Sequence, residues 1–299
     1  MGRTITIGSA PDSWGVWFAD DPRQVPYGRF LDEVRAAGYE WIELGPYGYL
    51  PADPGRLTEE LGRRGLKVSA GTIFAALHRP DHYDEAWAQV ELVASLTQAV
   101  GGTHLVVIPG QWRSDTTGEA LEDRTLTDEG WQRLASGTDR LARDVRDRYG
   151  LQLAFHSHAD THVDTHEQID RFLEMTDPEV VKLCLDTGHV SYSGGDNLRI
   201  IAEHPDRIAY VHLKQVSPEV VAKVKAEDLG FGEAVAMGAM VEPPTGVPDM
   251  PSILAALEGL DRDLFAIVEQ DLYPVAPDVP LPIARRTFSY LTSCRTPGA

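Results

Sequence analysis

The sequence predicts one closed (β/α)8 barrel spanning residues 1–299, and three observations carry that prediction. Eight short apolar runs rich in Val, Ile or Leu alternate with longer amphipathic stretches from one end of the chain to the other. No shift in composition divides the 299 residues, a length that closed barrels reach as a single domain. Polar residues gather at the ends of the late runs, on the side where barrel enzymes build their sites. An open, doubly wound sheet is the alternative, but no Gly-x-Gly-x-x-Gly follows the first run.

Each element has its own signal. The first strand, 4–10, leads into a loop at 11–21 that carries Trp14, Trp17 and Phe18. A helical pattern over 30–37 ends at Gly38, suited to a C-terminal cap. The second strand, 41–44, contains Glu43, and the third spans 67–74 after Gly65. A helical pattern at 84–100 precedes strand four, 103–109. The segment 111–128, with Trp112 and Arg113, is longer than a plain barrel needs. A helical stretch at 131–149, closed by Gly150, leads to strand five, 152–158, and Thr165-His166-Glu167-Gln168 reads as a capping box. Strands six and seven cover 182–186 and 208–214. A second long segment, 216–251, and a helix at 252–260 come before strand eight, 264–270. The segments 11–21, 111–128 and 216–251 follow strand C-termini and are expected to be lids or pocket walls.

Composition narrows the function. Hydrophobic residues make up 42%, enough for a sizeable core. The formal charge of −19, from 27 basic and 46 acidic residues, argues against a nucleic-acid surface. The absence of an eighteen-residue apolar run argues against a membrane span, and Met1-Gly2-Arg3 opens without an apolar leader core. Cys184 sits in an apolar run, and two cysteines form no disulfide framework, so a cytoplasmic setting is expected. A homo-oligomer is compatible with this composition.

The chemistry gathers in Phe155-His156-Ser157-His158, Asp186-Thr187-Gly188-His189, His212-Leu213-Lys214-Gln215 and Glu269-Gln270-Asp271. Strand alternation puts His156 with His158, and His212 with Lys214, on one face. Four strands thus aim nitrogens and carboxylates at one rim, and an apolar interior cannot leave such groups unpaired. One divalent cation would pair them.

These motifs, with Ala10-Pro11 followed by Trp14, resemble the xylose-isomerase-like barrels, a family that includes endonuclease IV, keto-sugar epimerases and inositol-catabolic enzymes. The resemblance is strongest to the inosose (2-keto-myo-inositol) dehydratase branch. It covers nearly the whole chain and is densest over 150–274. It implies a metal held by His156, Asp186, His212 and Glu269, with His156 at the strand-five position that usually carries Glu. The sequence departs from the branch at Ala159-Asp160, lacks its strand-three lysine in 70–74, and has Gln215 where an Asp usually closes strand seven.

The expected reaction is metal-dependent loss of water from a keto-cyclitol or keto-sugar through a metal-bound enediolate. Isomerisation or epimerisation of a sugar or keto-polyol at the same site is the alternative. The donor set suits Mn²⁺ or Co²⁺ first, with Zn²⁺, Fe²⁺ or Mg²⁺ behind. His158 and His189 are the candidate proton carriers, and Lys214 the group that steadies an enediolate oxygen. Trp14 offers a flat face for a ring or else a core anchor. Glu43 offers a carboxylate to substrate hydroxyls or else to a turn. Trp112 and Gln270 are further candidates for substrate contact, whereas His162 and His166 read as solvated residues near a helix start. The spacing of Tyr47, Tyr49 and Tyr192 leaves their direction open.

Overall fold

The computed structural model describes residues 4–295, so the reading of Met1-Gly2-Arg3 lies outside the described residues. Eight parallel strands close into a barrel: β1 (Ile5–Ser9), β2 (Trp41–Glu43), β3 (Lys67–Ala75), β4 (His104–Pro109), β5 (Gln152–His156), β6 (Lys182–Asp186), β7 (Ile208–Leu213) and, after a small antiparallel ribbon of β8 (Gln215–Val216) and β9 (Met240–Val241), β10 (Leu264–Val268). β10 pairs with β1 in register from Ile5↔Leu264 to Ser9↔Val268 and closes the ring. The predicted (β/α)8 architecture is the one observed.

Alternation along the strands sorts side chains into two layers. Leu153, Phe155, Leu183, Leu185, Val211 and Leu213 point outward into the main core beneath the helices. Ala154, Cys184, Tyr210 and Ile267 point inward and fill the barrel with Ala10, Ala70 and Val106. Cys184 is a small core residue, as its apolar context suggests. Tyr210 is satisfied there by a 2.7 Å hydrogen bond between its hydroxyl and that of Ser69.

The local signals hold where they rest on backbone chemistry. Gly38 and Gly150 cap their helices with positive φ. Thr165 and Gln168 form the capping box at the helix His166–Met175. The strands expected at 152–158, 208–214 and 264–270 stop earlier, at His156, Leu213 and Val268. Their last polar residues leave the ladder and form the mouth. The segment 216–251 is more ordered than a loop, with two helices, Pro218–Ala226 and Phe231–Ala236, and the β8–β9 ribbon. Among the described residues no helix is long and apolar enough to cross a membrane.

Candidate metal centre and active site

One step of two residues beyond the inward core positions builds the site. Above Ala154, Cys184, Tyr210 and Ile267 stand His156, Asp186, His212 and Glu269. All four are buried, and one donor atom from each lies within 4.8 Å of the others. Asp186 caps the helix Thr187–Ser193, with Oδ1 accepting the His189 N–H at 2.8 Å. This leaves Oδ2 facing His156 Nε2 at 3.3 Å and His212 Nδ1 at 3.5 Å. His212 Nδ1 is also 3.1 Å from Glu269 Oε2. Despite these distances, Asp186 Oδ2 and His212 Nδ1 make no hydrogen bond of acceptable geometry. Buried donors and acceptors rarely go unpaired. Atoms that converge without bonding one another fit a shared cation.

The surroundings orient this group. His212 Nε2 meets Glu43 Oε2 at 3.0 Å, so it carries the ring proton and leaves the Nδ1 lone pair toward Asp186 and Glu269. Glu43 accepts a second hydrogen bond from Thr72 Oγ1. Both of its oxygens are therefore engaged, and its expected role as a substrate ligand gives way to one of holding His212. Lys214 Nζ lies 2.8 Å from Asp271 Oδ2 and 3.3 Å from both Asp186 Oδ2 and Glu269 Oε2. Burial works against its charge, but Asp186, Asp271 and Glu269 outweigh burial and hold the ammonium well above its usual pKa. Burial would likewise raise the Asp186 carboxyl, yet Lys214 and His189 hold it well below the usual range. Gly188 makes room for Lys214, because a Cβ there would run into its side chain.

His158 lines the cavity, with Nδ1 donating to Ala159 O at 2.8 Å and Nε2 left as the acceptor. Burial and the neighbouring His156 push its pKa down to about 3, so the ring is neutral. His189 is a correction. It lies off the cavity wall and is 1% exposed, with Nδ1 3.2 Å from the Ala159 N–H and Nε2 3.3 Å from Lys214 Nζ. A neutral imidazole accepts at one nitrogen alone, so the ring takes one of these two donors, and its place behind the cavity wall fits a support better than the proton carrier expected from the sequence.

Three aromatic and amide expectations also change. Trp14 is a core anchor, fully buried against Phe30, with its indole N–H donating to Glu33 at 2.9 Å. Trp112 lies outside the cavity wall, beneath Arg113 and Arg124 at 4.7 and 5.1 Å from its ring. Gln270 braces the first loop: its backbone N–H donates to Ser13 Oγ, and its amide reaches Met240 O. His162 and His166 are buried instead of solvated. Tyr47 lines the cavity, while the Tyr49 hydroxyl is spent on Val25 O.

The cavity of ≈620 Å³ has Glu43, His156, His158, His212, Lys214 and Glu269 at one end. Trp17, one of the first-loop aromatics, lines it as well, as do Asp12, Asp271 and Phe231; sequence reasoning gave no role to Asp12 or Phe231 and quoted Asp271 only as part of the Glu269-Gln270-Asp271 motif. The alternation that finds the metal group could have found two of them, since Asp12 stands two residues beyond Ala10 and Asp271 two beyond Glu269. Trp17 stacks between Phe231 and Tyr273, with centroids at 6.2 and 5.0 Å, and its indole N–H reaches Asp271. Phe231 is fixed by its N–H to Asp160 at 2.8 Å. Arg113 binds Asp228 at 3.1 Å and ties the segments 111–128 and 216–251 together over the site.

A second group of metal-ligand type, His78, Glu122 and His162, lies elsewhere. Here Glu122 Oε1 takes His78 Nε2 at 2.7 Å and His162 Nε2 at 3.1 Å, and Arg79 pairs with the same oxygen at 3.1 Å. The atoms that meet at Glu122 are thus bonded to one another, and the one buried nitrogen left over, His78 Nδ1, lies on the far side of its ring from Glu122.

Comparison with known proteins agrees with this fold. Residues 31–291 match the xylose isomerase-like TIM barrel family, and the chain belongs to it. A protein of Lacticaseibacillus casei named inosose dehydratase is 32% identical, over 96% of each chain. Among solved structures, the IOLI protein with a bound zinc atom superposes with a TM-score of 0.74 at 17% identity, covering 98% of this chain and 100% of that one. An L-ribulose 3-epimerase does so with a TM-score of 0.69 at 20% identity, covering 98% and 96%. At these identities the two structures show a shared fold.

Proposed function

We propose that this xylose isomerase-like barrel is a metal-dependent dehydratase of a keto-cyclitol or keto-sugar. The observation that carries the proposal is the convergence of His156, Asp186, His212 and Glu269 without mutual hydrogen bonds at the polar end of the cavity. The relative named inosose dehydratase, similar over nearly the whole chain, supports the same class. These four residues would hold one divalent ion. Two imidazoles and two carboxylates favour Mn²⁺ or Co²⁺, with Zn²⁺, Fe²⁺ or Mg²⁺ as substitutes. When bound, such an ion supplies Lewis-acid polarisation of a ketone.

The chain's own residues do the rest. His158 Nε2, an acceptor because Nδ1 is committed to Ala159 O, would take the proton from the carbon beside the ketone. Lys214, held charged by three carboxylates, would donate a hydrogen bond to the oxygen on which negative charge gathers. Asp12 would protonate the departing hydroxyl, since burial and the nearby Glu269 and Asp271 raise its carboxyl well above the usual range. Trp17 and Phe231, stacked over the site, would exclude water. A cytoplasmic setting accords with two unpaired cysteines.

The test is a panel of inososes and 3-keto-sugars incubated with the enzyme in deuterium oxide and followed by mass spectrometry. Loss of one water is the expected result. Deuterium uptake with the carbon skeleton and its oxygens retained would instead assign an epimerase or isomerase, and an unreactive panel would reject the proposal.

A further inference from the structure

We infer that the substrate is a two-part molecule: a keto ring at the histidine and carboxylate end of the cavity, joined to an uncharged apolar group that lies along the other end. The proposed function supplies what fills the polar end. The remainder of the cavity points to the second part.

The inner end is polar, as described, but the cavity continues past Thr72 to a largely apolar wall of Tyr47, Phe74, Leu92, Val93, Ile108 and Leu121, bordered by Gln89, Gln111 and residues 114–116. Phe74, Leu92 and Leu121 are 50%, 53% and 57% exposed. Single exposed apolar residues are ordinary on a protein surface, but a contiguous apolar wall marks a binding site. These three come from separate parts of the chain: β3, the helix Tyr83–Ala99 and the segment after β4. The alternation that builds the polar end also builds this wall. On β3, Ala70 lies in the barrel, Thr72 binds Glu43, and Phe74 follows at the mouth. On β4, Ile108 stands two residues above Val106. The apolar wall therefore begins one side chain away from the group that holds His212.

Size and charge restrict the appended group. A volume of ≈620 Å³ is in the range of sites that enclose drug-sized ligands, and a single ring would engage only the inner residues. Lys214 is the one Lys or Arg among the described residues lining the cavity, and its ammonium is already shared by Asp186, Glu269 and Asp271. A phosphate on the substrate would find carboxylates and no free cation. Beyond Leu121 a second hollow of ≈300 Å³ shares Phe74, Gln89, Gln111 and Leu121 with the first; its charged residues are already paired, Arg79 with Glu122 and His82 with Glu85, so the outer end is open to an uncharged group longer than one ring.

Binding of stable, unreactive probes separates this inference from turnover. Phenyl β-D-glucopyranoside, methyl β-D-glucopyranoside and glucose 6-phosphate would be titrated into the wild-type enzyme and a Phe74→Ser/Leu121→Ser variant by calorimetry, with the oligomeric state of both measured by light scattering. The expected result is that the phenyl glycoside binds about tenfold more tightly than the methyl glycoside, as burying part of an aromatic face gives. The variant should lose that advantage, and the phosphate should bind no better than the methyl glycoside. Equal affinities for the phenyl and methyl glycosides, preference for the phosphate, or no binding of any probe would overturn the inference. A variant that dissociates an oligomer, with no phenyl preference in the wild type, would assign the wall to contact between copies of the chain and also overturn it. A phenyl preference without turnover of any keto-polyol would contradict the proposed function alone. Turnover without the preference would contradict this inference alone.

Discussion

Two clusters in this barrel use the same kinds of side chain and end in opposite states. His78, Glu122 and His162 bring donor atoms as close together as His156, Asp186, His212 and Glu269 do. In the first cluster a single carboxylate oxygen accepts both imidazoles and meets the Arg79 guanidinium. In the second, Asp186 Oδ2 and His212 Nδ1 stand near their neighbours without a hydrogen bond, among four carboxylates, three of which face Lys214 while Glu43 faces His212. The difference teaches that proximity of ligand-type residues does not define a metal site. What defines it is whether the protein has already satisfied them. The Glu122 cluster pins the segment 111–128 to the barrel, whereas the Asp186 cluster leaves buried donor atoms that a cation would pair.

Substitutions should separate the two. The largest effect is expected for Asp186→Asn, which weakens the anionic centre approached by His156, His212 and Lys214. Losing several kcal/mol of ketone polarisation corresponds to a fall of about 10⁴-fold in turnover, measurable in steady-state dehydration assays. Next is His158→Gln, which should cost about 10²–10⁴-fold in turnover, the range for a lost general base, while metal content stays at the wild-type level. Normal turnover in this variant would make His158 structural. Glu43→Gln removes a charge from the partner of His212 Nε2 and should weaken metal affinity by about 10–100-fold in a chelator competition.

The smallest effects belong to the closed cluster. Glu122→Ala should lower stability by about 1–3 kcal/mol in urea unfolding, because it leaves buried partners unsatisfied. Burial, outweighing Glu122 beside it, also pushes the His78 pKa from 6.5 down to about 4. Above pH 6.5 this shift contributes nothing. As pH falls below 6.5, the unfolded chain takes up a proton that the folded ring refuses, so stability declines toward pH 4. Urea midpoints at pH 7 and pH 5 should show that decline in the wild type and a smaller one in His78→Gln. Equal slopes would place the sensitivity elsewhere, with buried His104, whose pKa burial also lowers to about 4, the next group to examine.

The barrel and its inner quartet were legible because strand alternation is a local rule. A polar residue two steps beyond an inward Ala154 or Cys184 must face the same axis, whatever the loops do. Trp14, Trp112 and Gln270 were not legible in this way. Each lies just past a strand, and only the path of the following turn decides whether a side chain enters the cavity or the packing behind it. Trp14 turns onto Phe30 and Glu33, positions that sequence proximity does not reveal. His162 looked solvated because its partner, Glu122, is forty residues away in the chain. Lys214 was recognised, but not the depth of its enclosure, since Asp271 reaches it from the end of β10, the strand that pairs with β7.

The most direct test of the central claim is elemental analysis of three purified proteins: wild type, Asp186→Asn and Glu122→Gln. The claim that unsatisfied donors, and not proximity, define the site requires one divalent ion per chain in the wild type and in Glu122→Gln, with none retained in Asp186→Asn. Full occupancy in Asp186→Asn, or loss of the ion in a folded Glu122→Gln protein, would contradict it.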